Sequence, residues 1–178
     1  MISFIPLFAA LIGFISALSG VFIANKFNER RFLAQVSYEQ DKASRALLLS
    51  KAEDLHLHIL RWSKALYGYQ FHQISFAQGN ISQEAVYNHL ESMNSKDDHD
   101  KVETLLNLYF VELVPHMKSI RNSLSKANEI YSSCQKVSRP QEKLVLSLFE
   151  CSEELECLFN LILEDLRKTV RKLVHLNK

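Results

Sequence analysis

Hydrophobic and polar positions follow two different regimes along this chain. From Ile2 to Asn25 there is no charged side chain at all, and the run ends abruptly at Lys26, Phe27, Asn28, Glu29, Arg30 and Arg31. As a helix, the run is about 35 Å long, enough to cross a hydrocarbon core of roughly 30 Å. Beyond it the apolar positions become periodic. Leu48, Ala52, Leu55, Ile59, Trp62 and Leu66 step by three and four residues, the spacing of one helical face turned towards a partner.

This periodicity predicts four helices. The first continues out of the N-terminal run to about residue 75, with a bend expected at Gly68 among Tyr67, Tyr69, Phe71 and Phe76. Gly79-Asn80-Ile81-Ser82 reads as a stop followed by a new N-cap, with Gln83 and Glu84 in the first turn of a short helix ending near Met93. The polar stretch Asn94 to Asp100 is expected as a loop, with Asp98 or Asp100 capping a third helix. That helix carries Leu113, Met117, Ile120, Leu124, Ala127 and Tyr131 on one stripe, and Pro115 is expected to kink it. Ser138-Arg139-Pro140 starts the last helix, which lines up Leu144, Leu148, Cys151, Leu155, Leu158, Ile162 and Leu166. The expected fold is all-α: a single N-terminal transmembrane helix (residues 1–27) continuing into a cytoplasmic four-helix bundle (residues 28–178), as an oligomer.

A cleavable signal peptide is the competing reading of the N-terminal run, and Ala17-Leu18-Ser19 offers a small-x-small cleavage site. Such peptides have a positively charged start and an apolar stretch of about 7–15 residues, whereas this run is longer and no Lys or Arg precedes it. A buried helix of a soluble domain would carry a polar face, and here there are only a few serines. Lys26, Arg30 and Arg31 all lie C-terminal to the run, so the positive-inside rule puts the remaining 150 or so residues in the cytoplasm. Three cysteines, an odd number without CxxC spacing, fit a reducing compartment as buried apolar side chains.

The small residues of the run share one side. Ala9, Gly13, Ser16, Ala17, Gly20 and Ala24 fall within an arc of about 100°, making two overlapping small-xxx-small rows. In lipid such rows let helix backbones approach closely, which makes this face the expected oligomer or pore contact. With one span per chain a pore must be built from several copies. Its narrow apolar wall, with Ser3, Ser16 and Asn25 as the polar points, would gate by dewetting. A plain anchor would look similar.

Chemistry elsewhere is sparse. No HExxH, GxSxG, Walker or GxGxxG pattern occurs, and four glycines leave little for a phosphate-cradling loop. His99 between Asp98 and Asp100 suggests a metal ligand or a solvated turn. His56 and His58 are two apart and face different sides of a helix. Neither cofactor nor metal is expected. Net charge is +1, so no global field draws nucleic acid. Glu150, Glu153, Glu154 and Glu156 precede Arg167, Lys168, Arg171 and Lys172 on the last helix, either as a helix-dipole pattern or as an ion-pair surface between copies. The basic end is left for RNA or anionic lipid headgroups to contact, or for nothing.

Arg121-Asn122-Ser123-Leu124-Ser125-Lys126 resembles the R-N-x-x-x-H signature of HEPN domains, helical bundles that are often metal-independent ribonucleases. Here Lys126 stands where the histidine belongs, and a lysine at its ordinary pKa is no general base near pH 7. Over the whole chain, the single anchor, the all-α remainder and this degenerate motif resemble the small accessory membrane protein of type VI-B CRISPR systems. The resemblance implies bacterial antiviral defence beside an RNA-guided effector, with an oligomeric pore depolarising the inner membrane and no enzymatic activity. A membrane-tethered ribonuclease using Arg121, Asn122 and Lys126, and a non-enzymatic anchor or adaptor, are the alternatives.

Overall fold

The computed structural model describes residues 5–93, 95–136 and 141–175, with side-chain surroundings from Ile12 onward. Ser3, the side chain of Ala9, Asn94 and the Ser138-Arg139-Pro140 start signal therefore lie outside the described residues. The fold is all-α: 94% of it is helical. The order is α1 (Ile5–Ala77), α2 (Gln83–Ser92), α3 (Ser95–Tyr109), a 3-10 turn (Val111–Leu113), α4 (Val114–Cys134) and α5 (Glu142–His175). The chain divides into two compact units, Met1–Ala46 and Leu47–Lys178, so the second begins at Leu47 where the sequence placed a boundary after residue 27.

In the first unit, every described residue from Ile12 to Gln35 is exposed. A Cβ added at Gly13 or Gly20 would meet nothing within 4 Å. Among the described residues, no helix is long and apolar enough to cross a membrane.

The second unit buries the expected stripes. Ala52, Leu55, Ile59, Trp62 and Leu66 of α1 pack with Met117 and Ile120 of α4 and with Leu155, Ile162 and Leu166 of α5. Val102 and Leu106 of α3, Phe110, and Phe159 of α5 also belong to this core, and none of these four belonged to the stripes read from the sequence. Trp62 and Tyr67 both meet the Phe159 ring edge-on, at 5.1 and 6.1 Å between centroids. A smaller core joins Ile74 and Ala77 of α1, Val86 of α2, Tyr131 and Cys134 of α4, and Leu148 of α5.

Local chemistry explains the breaks. Gly79 has φ 79°, the left-handed conformation that ends α1. Ser82 then caps α2 by accepting a hydrogen bond from the Ala85 N–H at 3.2 Å, as expected. The expected third helix is two helices. Pro115 does not kink a continuous helix, because the chain leaves helical geometry at Phe110 (φ −135°, ψ 52°) and restarts with proline in the first turn of α4. There its missing N–H has no intrahelical acceptor to lose. The burial of Phe110 at 1% exposure fixes the break in place. Residues 95–100 are helix rather than loop, with Asp97 and Asp98 in the first turn of α3, where carboxylates favour the dipole.

Gly68 is not a bend either. α1 continues through it, and an added Cβ would lie 3.0 Å from His89 Nε2, so glycine here admits the α2 side chain. His89 stacks on His72 at 3.9 Å, and the His72 ring is held by the Gly68 carbonyl at 2.8 Å. Burial first, then the neighbouring His72, lowers the His89 pKa below 6.5. The unfolded chain therefore takes up a proton before the folded chain does. This contribution to stability is complete above pH 6.5 and is lost as pH falls below it. Urea unfolding at about pH 7.5 and 5.5 should show a loss of stability on acidification that is smaller in His89→Phe; equal losses in both proteins would exclude the effect.

Candidate functional site

Arg121, Asn122 and Lys126 are all exposed on α4 and do not converge on a cleft. Arg121 Nη2 pairs with Glu103 Oε2 of α3 at 2.7 Å, while Lys126 Nζ pairs with Glu154 Oε2 of α5 at 3.5 Å. The two cations thus reach towards different neighbouring helices, as their five-residue separation on a helix dictates. Both pairs are about half exposed, the situation in which an ion pair contributes at most about 1 kcal/mol.

His99 lies on helix α3 rather than on a loop. Its ring meets Trp62 edge-on at 5.0 Å, and its Nδ1 is 3.2 Å from Asp100 Oδ1. Among the described residues no group of three or more His, Cys, Asp or Glu side chains is arranged to hold a metal ion. Cys134 and Cys151 are buried, and burial raises both thiol pKa values; Cys157, against expectation, is exposed.

Two histidine–carboxylate pairs bridge elements far apart in sequence, and spacing gave no sign of them. His58 Nδ1 donates to Asp98 Oδ1 at 2.6 Å, joining α1 to α3. His116 Nε2 donates to Asp165 Oδ2 at 3.1 Å, joining α4 to α5. Lys168 donates to the other Asp165 oxygen at 3.0 Å, and together with His116 it holds that carboxyl below the usual range. The first pair borders a cleft of about 470 Å³ lined by Lys51, Asp54, His58, Asp100, Lys101 and Thr104. Lys51 is already paired with Asp54, and the lining charges balance, so the cleft presents no field for an anion or a cation.

A second groove, of about 310 Å³, lies between α1 and α5. Its floor is apolar (Leu49, Ala52, Leu166, Val170) and its walls carry His56, Arg167 and Arg171 opposite a single acid, Glu53. Further along the same α1–α5 seam, Tyr67 is pushed up to about 12, by burial first and then by Glu156 and Cys157.

In the first unit, Gly13, Ser16, Ala17, Gly20 and Ala24 are exposed with the large residues around them, and Lys26, Arg30 and Arg31 follow. Lys26 and Arg30, one helical turn apart, flank a shallow hollow with Phe22, Ile23 and Phe27.

The class these observations define is an all-α protein whose first long helix carries an uncharged segment, exposed over its described side chains, together with a packed helical unit. No family model, no curated protein and no solved structure matches the chain.

Proposed function

We propose that the protein is an oligomeric membrane pore of a bacterial antiviral system, depolarising the inner membrane when a partner RNA-guided effector triggers it. The observation that carries this reading is the uncharged run from Ile2 to Asn25, whose described side chains from Ile12 onward find no partner within the chain. Ile12, Phe14, Ile15, Leu18, Val21 and Phe22 are each more than half exposed. Such a density of bare apolar surface in water marks a membrane or protein contact. The run ends in Lys26, Arg30 and Arg31, which set the cytoplasmic boundary of a single-pass protein. The antiviral setting and the effector partner rest on the resemblance to the type VI-B accessory proteins.

The ribonuclease alternative gains no support from the motif's surroundings, since Arg121 is held by Glu103 and Lys126 by Glu154 on an exposed surface. The test is conductance of the detergent-purified chain in a planar bilayer, together with its mass. Discrete conductance steps from an assembly of several copies are expected; a monomer without conductance would overturn the reading.

A further inference from the structure

Some charges of α5 are compensated within the chain, Glu154 by Lys126, and Glu164 and Asp165 by Lys168, while Glu142, Lys143, Glu150 and Lys172 form no ion pair with another described residue. Glu153, Glu156, Arg167 and Arg171 stand out among the unpaired charges by their common position on the helix. All four are exposed, and none forms an ion pair with another described residue. At about 100° per residue they fall within an arc of about 60°, so they share one narrow stripe of α5.

Their order along that stripe is self-complementary. Glu153 and Arg171 are centred on residue 162, and Glu156 and Arg167 on the point between residues 161 and 162. Two further pairs on the stripe share this centre. Asn160, a hydrogen-bond donor, mirrors the Glu164 carboxylate, and Phe149 mirrors Val174, two apolar side chains that are 44% and 54% exposed. The stripe advances by steps of three and four residues, the spacing of a helix that packs along another helix.

We propose that α5 is a docking surface for a second copy of this chain, packed antiparallel about a two-fold axis at residues 161–162. Symmetry makes each pair occur twice, giving four ion pairs between the copies, two amide–carboxylate contacts and an apolar contact at each end. The basic wall of the α1–α5 groove, Arg167 and Arg171, is where the partner's Glu156 and Glu153 arrive. Charge complementarity selects this occupant: parallel pairing in register would put Glu against Glu and Arg against Arg along the whole stripe. The contact stands on α5 alone and does not depend on the N-terminal run entering a bilayer.

Disulfide trapping in the full-length chain in detergent tests it, in a Cys157→Ser background. Glu156→Cys with Arg167→Cys should give a covalent dimer on mild oxidation, linked between positions 156 and 167. Glu156→Cys alone should give none, because the two copies of residue 156 lie about 16 Å apart along the axis. A second trap, Asn160→Cys with Glu164→Cys, reports on the charges. Its yield should fall at least tenfold with Glu153→Arg and Glu156→Arg, fall equally with Arg167→Glu and Arg171→Glu, and return when all four are reversed. Circular dichroism should show the same helix content throughout. A dimer linked 156 to 156, or a yield indifferent to the reversals, would overturn the proposal. A trapped dimer from a chain without conductance would sink the pore and leave this contact standing.

Discussion

Gly13→Leu combined with Gly20→Leu should reduce the detergent-solubilised assembly to single chains and abolish bilayer conductance, with helix content unchanged or slightly higher. A Cβ added at either position meets nothing within 4 Å and the surrounding positions are exposed, so the isolated helix has no reason to reject leucine. Leucine is in fact the better helix former, by somewhat under about 1 kcal/mol per position. Any loss must come from a contact outside the chain. Two leucines one above the other on the small-residue side would hold neighbouring backbones apart, where Gly13, Ala17, Gly20 and Ala24 allow close approach. Unchanged mass and conductance would show that this side is not the contact.

Phe159→Ala should cost about 3–5 kcal/mol of unfolding free energy, a large share of the 5–15 kcal/mol typical of a domain. Phe159 is 1% exposed and sits where α1 and α5 meet. Truncation removes the ring against which both Trp62 and Tyr67 set their edges, leaving a cavity in the middle of the main core. Phe71→Ala is the internal comparison. That ring is 66% exposed, and its loss should change stability by no more than about 0.5 kcal/mol. Urea denaturation of the two variants decides the matter; equal midpoints would mean that Phe159 is not at the centre of the core.

Such a core was partly legible in advance because helical periodicity repeats over many turns. The stripes of α1, α4 and α5 emerge from apolar spacing alone, since a helix exposing Leu55, Ile59, Ile120 or Leu155 to water would be unstable without a partner. α3 was harder to read: its polar start resembles a loop, and its buried residues Val102 and Leu106 make too short a pattern to register. Pro115 was visible, but whether it kinks one helix or begins another depends on whether Phe110 has a cavity to fill, and only packing supplies that. Gly68 likewise looked like a hinge because its reason, the His89 ring arriving from α2, lies 21 residues away in the chain.

The same division holds for the functional residues. Local composition by itself determined the uncharged N-terminal run, the basic residues that close it, the small-residue side and the all-α class, because each follows from the order of neighbouring side chains along a helix. Tertiary structure alone decided that Arg121 and Lys126 are spent on two different helices, that His58 meets Asp98, and that Glu153, Glu156, Arg167 and Arg171 are exposed with no ion pair to another described residue. The physical reason is range. Helical faces are set by steps of three and four residues, whereas these charge pairs are settled by side chains that folding brings together from other helices, up to 49 positions away.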